Sequence, residues 1–320
     1  MSFTTSLKSI VKQFLVGSGL GVPISRIFYS FGADQLGRHC SYIATREVPD
    51  IAIITLPEYI KKDTRFRMYT VGGRDQVATV LWLKNWHHYE KPLPDFFAAF
   101  AQKAKIVLDI GANTGFYSLI AAFSSNTARI YAFDPYLPAQ KLLKNNLVLN
   151  NVSERVTMVP LAISNHNDEA DLFVPTCEHG LIETSSSLNR DFQRTHSKIF
   201  RVNVSTLDNV VKENNLDSVD LIKLDVENQE HLALQGANLV LKKFRPVIFF
   251  EAIEKVNCEA LEQIRRKHNY LVFRLGSTIR KVNQIAIDRK NWNQVLCPEE
   301  KVATLNEIAT LLSLGTPKSK

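Results

Sequence analysis

The chain has 320 residues, 45% of them hydrophobic and 22% charged, which is the composition of an ordinary globular protein. Its four cysteines lie far apart, form no C-x-x-C pair and match no zinc-binding histidine spacing, so reduced thiols are expected. The formal net charge is +7, but the basic residues are scattered without interleaved aromatic residues, a pattern that argues against a nucleic-acid groove.

The N-terminal third differs in pattern from the rest of the chain. Residues 1–95 include an amphipathic stretch at the N-terminus and an apolar run at residues 51–56 that predicts a strand. We interpret them as a mainly helical accessory or cap segment. No stretch reaches the roughly 18 apolar residues of a membrane span, and no signal-peptide core is evident, so a soluble, cytoplasmic protein is expected.

Residues 96–300 contain β-branched runs that alternate with helical patterns, which is typical of β-α-β units and a parallel sheet. The five predicted buried strands are residues 106–109, 129–133, 156–160, 220–225 and 247–251. The helical patterns cover residues 114–124, 139–150, 207–214, 230–242 and 259–269. With two further strands at residues 270–274 and 284–287, the sequence predicts an α/β fold with a doubly wound, mostly parallel, seven-stranded Rossmann-like sheet. Residues 301–320 are expected to form a C-terminal helix and a flexible tail.

The sharpest motif closes the first of these strands. Residues 107–116 read VLDIGANTGF, an apolar strand that ends in Asp-x-Gly-x-Asn-x-Gly and runs straight into a predicted helix. Gly111 and Gly115 have no Cβ, so the turn tolerates positive φ and lets the backbone approach a ligand. The next strand ends in Asp134-Pro135, about 20 residues after the turn, where a carboxylate can accept both hydroxyls of a ribose. Together these features predict a nucleotide-cofactor site.

The residues of this turn favour S-adenosylmethionine over NAD. A dinucleotide fingerprint, G-x-G-x-x-G, seats a pyrophosphate on the helix N-terminus, but here Asn113 replaces the middle glycine. The negative charge of Asp109 at the strand end would oppose a pyrophosphate. It suits the cationic ammonium and sulfonium groups of S-adenosylmethionine.

A series of further motifs follows the glycine turn. They are YAFDP at residues 131–135, VPLAIS at 159–164, SSSL at 185–188, TLD at 206–208, DLIKLDVE at 220–227, LQGA at 234–237 and RPVIFFE at 245–251. With the glycine turn, the series resembles the FkbM-type methyltransferases, a branch of the class I S-adenosylmethionine-dependent enzymes. The resemblance covers roughly residues 89–251, about half of the chain, and DLIKLDVE is its most specific piece.

The resemblance implies roles for particular residues and a reaction. The residues implied at the methionine end of the cofactor are Asp109, Gly111, Ala112, Asn113 and Gly115. Those implied at the ribose are Asp134 and Pro135, and those implied at the adenine are Leu161 and Ala162. The implied reaction is methyl transfer to oxygen, on hydroxyls of sugars, polysaccharide-linked acceptors or secondary metabolites.

Two positions depart from the family pattern. The family usually has Glu where this chain has Asp134, which shortens the reach but keeps two acceptor oxygens. It usually has Gly after Asp-Val-Glu, where this chain has Asn228. Because asparagine is the non-glycine residue that best tolerates left-handed φ, the same turn is expected here, and its geometry decides how Asp225 and Glu227 are aimed.

Methyl transfer to a hydroxyl needs an oxygen held in line with the methyl group and a base that takes the hydroxyl proton. Asp225 and Glu227 sit at the carboxyl end of the fourth predicted strand and Glu251 at the end of the fifth, in the crevice where doubly wound sheets bind ligands. They are the predicted catalytic residues. The alternative for Glu227 and Glu230 is a favourable charge at the N-terminus of the next helix. No ligand spacing demands a metal ion.

A polar segment, residues 177–196, is too long for a tight turn, and long loops of this kind often serve as lids. His179, Ser186 and Ser187 are predicted to contact the acceptor, with a solvated loop residue as the alternative for His179. Upstream, Trp86 and Tyr89 are expected either near the cofactor or, as an aromatic stripe, in the core.

Two other functions stay open at this point. A nucleic-acid methyltransferase would agree with the basic charge, but the fourth strand lacks the Asn-Pro-Pro-aromatic run that clamps a flipped base. A cofactor-binding scaffold without catalysis would agree with the loss of glycine at Asn228. A small-molecule or glycan-like hydroxyl acceptor is therefore the predicted partner, and nucleic acid is disfavoured.

Overall fold

The computed structural model describes residues 48–84, 86, 89–175, 182, 185–192 and 196–315. In these residues the helices are α1 (Gln76–Lys84), α2 (Leu93–Ala101), α3 (Phe116–Ser124), α4 (Leu137–Leu149), α5 (Leu207–Glu213), α6 (Glu230–Gln235), α7 (Asn238–Lys243), α8 (Cys258–Lys267) and α9 (Val302–Gly315). Short 3-10 helices cover Ser153–Arg155 and Glu299–Lys301. The strands are β1 (Ile51–Thr55), β2 (Arg65–Tyr69), β3 (Ile106–Ile110), β4 (Arg129–Phe133), β5 (Val156–Val159), β6 (Ala162–Ile163), β7 (Asp168–Pro175), β8 (His196–Ser205), β9 (Leu221–Leu224), β10 (Val247–Glu251), β11 (Tyr270–Leu275), β12 (Ile279–Val282) and β13 (Asn293–Pro298).

The largest sheet of the described residues has eight strands in the order β12-β11-β13-β10-β9-β3-β4-β5. From β10 to β5 all neighbours run parallel, while β13 is antiparallel to both β10 and β11, and β12 is antiparallel to β11. The strand order reverses between β3 and β9, so the carboxyl ends of these strands open a crevice. The prediction of a doubly wound, mostly parallel α/β sheet is therefore confirmed.

The last strands of the sheet differ from the prediction of seven. Residues 284–287 are not a strand, and the buried strand beside β10 is β13, which begins with the buried polar residues Asn293 and Gln294. Gln294 Nε2 donates to the Ala286 carbonyl oxygen at 2.6 Å, which holds the irregular segment beside the sheet. β12 then adds an eighth strand at the edge. Because β13 contains buried polar side chains, the hydrophobic pattern of the sequence did not predict this strand.

The helix predicted over residues 230–242 is divided into α6 and α7 at Gly236. A Cβ at this glycine would lie 2.0 Å from the Ser164 carbonyl oxygen, so the two chain segments pass too close for any side chain. Asp208 caps the start of α7 by accepting the N–H groups of Leu239 and Val240 at 2.8 and 2.9 Å. The break therefore has a packing cause that helical periodicity does not reveal.

The described part of the accessory segment is an antiparallel pair, β1 and β2, followed by α1. The strand predicted at residues 51–56 is confirmed, but this part of the segment is less helical than expected. The helix expected at the N-terminus lies outside the described residues. At the other end, α9 provides the predicted C-terminal helix, and residues 316–320 also lie outside them.

Each face of the large sheet packs against its own apolar layer. Within β3, Leu108 belongs to one layer and Val107 to the other, as expected for a strand that is buried on both faces. Phe66 and Met68 of β2 belong to the same layer as α2 and α3, so the accessory pair shares the core of the main domain. In the part of the chain that the structure describes, no helix has the length and apolar character to cross a membrane.

Candidate active site

A cavity lies at the carboxyl ends of β3, β4, β9 and β10. The predicted residues on its wall are Gly111, Ala112, Asn113, Asp134, Pro135, Leu161, Ala162, Ser186, Ser187, Asp225, Glu227 and Glu251. Further side chains that line it include Glu90, Tyr117, Tyr136 and Gln229. The structure thus brings the residues predicted for the cofactor and those predicted for catalysis to the same cavity.

The turn after β3 is as tight as its two glycines predict. Gly111 has φ +85°, and a Cβ there would lie 1.7 Å from the Asp225 carbonyl oxygen. Gly115 has φ +97° at the start of α3, and a Cβ there would lie 2.4 Å from Leu143 Cδ1, so this glycine serves packing against α4 and is not on the cavity wall. Asn113 has φ +49°, the left-handed geometry that asparagine tolerates. The backbone of residues 111–113 therefore forms an open cradle at the cavity.

Asp134 is fixed at the end of β4 by backbone donors. Its Oδ2 accepts the Asn113 N–H and its Oδ1 accepts the Tyr136 N–H, both at 2.8 Å. Burial raises the pKa of Asp134 to about 6, and the two backbone hydrogen bonds oppose this rise. Each carboxylate oxygen keeps a second acceptor position, so the side chain can still bind a pair of ligand hydroxyls.

Asp109 lies behind the cavity wall. It is 1% exposed, and its Oδ2 accepts the hydroxyl of Ser118 on α3 at 2.6 Å. Burial raises its pKa to about 6, against the hydrogen bond from Ser118. This position differs from the predicted contact with the ammonium group of a cofactor, because the buried strand β3 turns the side chain toward α3.

Three carboxylates meet in the cavity. Glu90, Asp225 and Glu251 each offer an oxygen atom within 4.8 Å of the others, close enough to surround a cation. The chain itself supplies a cation, because Lys223 Nζ lies 3.0 Å from Asp225 Oδ2. Acidic groups at this spacing are common without a metal ion, and we assign none.

Tyr117 and Lys223 complete this group of side chains. Tyr117 Oη donates to Glu90 Oε2 at 2.5 Å, and the Lys223 ammonium lies 5.0 Å from the centroid of the Tyr117 ring. Burial raises the pKa of Tyr117 well above its usual value, so the phenol remains a donor. Burial also opposes the charge of Lys223, but Asp225, Glu90 and Glu251 outweigh it and raise the pKa of the lysine. Lys223 therefore remains an ammonium ion.

Two of the predicted catalytic residues are carboxyls that resist ionisation. Burial first, and then the charge of Asp225, raise the pKa of Glu227 and Glu251 well above the usual glutamate value. Glu230 is 3% exposed, and burial raises its pKa to about 7 while its Oε1 accepts the Asn228 N–H at 3.3 Å. These glutamates therefore hold protons at a pH where an exposed glutamate is ionised.

The turn between β9 and α6 has the left-handed geometry expected for it. Glu227 has φ +52° and Asn228 has φ +70°. Asn228 is buried, and its Nδ2 donates to the Glu254 carbonyl oxygen at 3.0 Å, a bond that glycine could not make. The turn therefore accommodates asparagine, and Asp225 and Glu227 both line the cavity.

The predicted acceptor loop is described in part. Ser186 and Ser187 line the cavity, whereas His179 lies outside the described residues. Ser187 is buried, and its Oγ donates to the Glu227 carbonyl oxygen at 2.7 Å and accepts the Asn189 N–H at 3.0 Å. This serine fastens the loop to the turn after β9. Contact with an acceptor stays a prediction for both serines.

The sequence alone did not indicate that three residues belong to the site: Glu90, Tyr117 and Lys223. For Lys223 a signal was present, because a lone charged residue in an otherwise apolar predicted strand must have a buried partner. Tyr117 was concealed by the apolar helix after the glycine turn, and Glu90 lies outside the repeating pattern of strands and helices. No spacing in the sequence indicates that these residues meet.

The two aromatic residues that the sequence left open have different positions. Trp86 is 1% exposed, and its Nε1 donates to Asp95 Oδ1 at 2.6 Å, which places it in the core. Tyr89 lines the cavity, and its ring packs edge-on against Phe116 with centroids 5.1 Å apart. The core interpretation is therefore confirmed for Trp86, while Tyr89 belongs to both the core and the cavity wall.

Known proteins resemble this chain in sequence and in fold. A family model described as the methyltransferase FkbM domain matches residues 109–275. The AMB antimetabolite synthetase AmbE of Pseudomonas aeruginosa is 26% identical over a match that covers 52% of this chain. The match spans only 10% of the length of AmbE.

Two solved structures are similar in fold. The methyltransferase FkbM from Methylobacillus flagellatus KT has a TM-score of 0.43 at 13% identity, with 83% of this chain and 60% of that chain covered. A SAM-dependent O-methyltransferase from Thermotoga maritima has a TM-score of 0.35 at 14% identity, with 65% of each chain covered.

Proposed function

The chain belongs to the family of FkbM methyltransferase domains, and on this premise we propose that it transfers the methyl group of S-adenosylmethionine to an acceptor hydroxyl. The acceptor class we propose is a sugar, a polysaccharide-linked group or a secondary metabolite. The observation that carries the proposal is the shared cavity: the glycine cradle and Asp134 line it together with Asp225, Glu227 and Glu251.

The residues of the cradle fit S-adenosylmethionine. Gly111 lets the turn pass close to the Asp225 carbonyl oxygen, where a Cβ would not fit, and the buried Oδ1 of Asn113 has no hydrogen-bond partner among the described residues. Asp134 keeps acceptor positions for the ribose hydroxyls, and Leu161 and Ala162 provide an apolar wall suited to the adenine. When bound, the cofactor supplies a methyl group that is activated by the neighbouring sulfonium.

One of the acidic side chains takes the proton of the hydroxyl group that is methylated. Asp225 is the first candidate, because it lines the cavity with 31% of its side chain exposed and is paired with an ammonium ion. Glu227 and Glu251 are less suited as bases, because burial and the charge of Asp225 favour their protonated forms. As protonated carboxyls they can instead donate hydrogen bonds that orient an acceptor.

The charge of the cavity supports a hydroxyl acceptor rather than a nucleic acid. Among the described residues on its wall, five carry a carboxyl group, namely Glu90, Asp134, Asp225, Glu227 and Glu251, and none is Lys, Arg or His. A phosphodiester would find no basic side chain on this wall to pair with it and would be repelled by any of these carboxyl groups that is ionised. Polyols pair well with such groups, because each hydroxyl can donate to a carboxylate. The relative AmbE is an antimetabolite synthetase, which agrees with a secondary-metabolite acceptor.

Calorimetric titration with S-adenosylhomocysteine tests the cofactor assignment. We expect micromolar binding that is lost in Asp134→Ala and kept in Asp168→Ala, an exposed aspartate on β7, with no binding of NAD. A panel of sugars and hydroxylated small molecules, incubated with methyl-labelled S-adenosylmethionine, then tests the acceptor class. Absence of cofactor binding by folded protein, or transfer to RNA only, would contradict the proposal.

A further inference from the structure

Lys223 occupies an unusual place for a charged residue, the middle of a central strand. It lies in β9, where all four residues are buried, with Asp109 of β3 and Phe249 of β10 as its neighbours in the sheet. Only 1% of its side chain is exposed. Removing an ammonium ion from water is energetically unfavourable, so such a residue persists only where nearby charges compensate for the loss of hydration.

The compensation comes from every element packed around the ammonium ion. Asp225 Oδ2 accepts from Lys223 Nζ at 3.0 Å, and the Tyr117 ring on α3 lies beside it. The titratable groups that face this centre are Asp109 on β3, Asp225 after β9, Glu251 on β10, Tyr117 on α3, Tyr89 and Glu90 before α2, and Glu227 and Glu230 from the turn and start of α6. The ammonium ion of Lys223 thus compensates for the charge of several acidic groups.

The contact is selective for one of these acids. Within 4.0 Å of the Lys223 ammonium, Asp225 is the only carboxylate of the described residues that forms an ion pair with it. Asp225 directly follows the last residue of β9, and its 3.0 Å contact with the Lys223 ammonium shows that the two side chains reach the same side of the sheet. The lysine therefore compensates for the negative charge of Asp225 and fixes its Oδ2, while Oδ1 makes no ion pair with the lysine.

We propose that Lys223 is a positioning residue that keeps Asp225 ionised and oriented, so that Asp225, and not Glu227 or Glu251, is the base for methyl transfer. The assignment of Asp225 as the base rests on the proposed function. The claim that Asp225 is ionised while Glu227 and Glu251 are protonated does not. The raised pKa values of Glu227 and Glu251, caused first by burial and then by the charge of Asp225, agree with this ordering.

¹³C NMR of the side-chain carboxyl groups measures which of them are protonated, and it needs no methyl-acceptor substrate. The protein is labelled with ¹³C at the side-chain carboxyls of Asp and Glu, and the signals are assigned with Asp225→Asn and Glu251→Gln. At pH 7 we expect an ionised Asp225 and a protonated Glu251. In Lys223→Met we expect the Asp225 carboxyl signal at pH 7 to move toward the position of a protonated carboxyl, whereas Lys223→Arg, which keeps the charge, leaves it in place.

The outcomes separate this inference from a purely structural role for the lysine. If Lys223 only fills space, Lys223→Met leaves the Asp225 carboxyl signal at pH 7 unchanged, and the proposal is overturned. If Lys223→Met does not fold, the wild-type spectrum alone decides, since a protonated Asp225 or an ionised Glu251 at pH 7 also overturns it. Binding of S-adenosylhomocysteine, measured on the same samples, tests the proposed function independently.

Discussion

At the scale of single residues, the site depends on positions where one type of side chain fits. Gly111 is one of them, because its φ of +85° and the nearby Asp225 carbonyl oxygen exclude a Cβ for separate reasons. Glu230 is constrained by hydrogen bonds instead, because its Oε1 accepts two backbone N–H groups in a buried turn while its buried Oε2 has no hydrogen-bond partner among the described residues.

We expect Gly111→Ala to unfold the cradle. The new Cβ would lie 1.7 Å from the Asp225 carbonyl oxygen, so the turn and the end of β9 must separate. Urea denaturation should show a loss of more than about 2 kcal/mol of unfolding free energy, and calorimetry a loss of S-adenosylhomocysteine binding.

Gly72→Ala is the matched control for this change. Gly72 also has positive φ, at +63°, but nothing lies within 4 Å of its added Cβ. This variant should lose only about 1 kcal/mol, from left-handed strain, and keep cofactor binding. Equal losses in the two variants would show that the close approach to Asp225 is unimportant.

Glu230→Gln should change the pH dependence of stability. The folded-state pKa of Glu230 is raised from 4.5 to about 7, mainly by burial, so its contribution to stability is present below pH 4.5 and is lost as the pH rises through 7. Glutamine cannot ionise and can still accept the backbone N–H groups. Relative to wild type, the variant should gain on the order of 2 kcal/mol between pH 5 and pH 8 in urea denaturation. Glu259→Gln, exposed in the first turn of α8, is the control, and identical pH profiles for Glu230→Gln and wild type would refute the expectation.

At the scale of elements, the turn after β9 is held from outside by the loop that precedes β8. Glu227 and Asn228 both have positive φ, a strained pair for residues with side chains. Asn228 ties the turn to Glu254, and Ser187 ties it to the loop. The direction in which Glu227 points is therefore set by two segments that are distant in the sequence.

Ser187→Ala should loosen this turn. The change removes the 2.7 Å bond to the Glu227 carbonyl oxygen and should cost about 1–2 kcal/mol of unfolding free energy. Ser186→Ala is the control, because the buried Ser186 hydroxyl has no hydrogen-bond partner among the described residues and its loss should leave stability nearly unchanged. Thermal denaturation compares the two. If Ser186→Ala proves the more destabilising, the assignment of the fastening residue is wrong.

At the scale of the whole molecule, the accessory pair and the main domain form one continuous core. Asn146 on α4 marks the junction: it is fully buried, its Oδ1 accepts the Tyr69 N–H of β2 at 2.9 Å, and its Nδ2 donates to the Thr114 carbonyl oxygen at 2.8 Å. One amide thus connects the accessory pair, a helix and the glycine turn. The accessory segment supports the cofactor cradle through this contact.

Asn146→Ala should therefore weaken the cradle as well as the fold. Two buried backbone groups lose their partner, which should cost about 2–4 kcal/mol of unfolding free energy. Asn150→Ala also breaks contacts with β2, to Arg67 N–H at 2.8 Å and to its carbonyl oxygen at 2.6 Å, but these lie in an exposed position where water can replace them. We expect weaker S-adenosylhomocysteine binding in Asn146→Ala only. Equal binding in the two variants would contradict a role for the accessory pair in the cradle.

The sequence by itself determined the doubly wound fold, the glycine turn, the acidic strand ends and the tolerance of Asn228 for a left-handed turn. These are local properties, since a strand's periodicity or a glycine's freedom follows from residues that are close in the chain. Only the tertiary structure decided that Asp109 faces the interior, that Gly236 divides a helix and that Lys223 pairs with Asp225 beside Glu90 and Glu251. Burial and close approach between distant segments set these features, and no spacing along the chain encodes them.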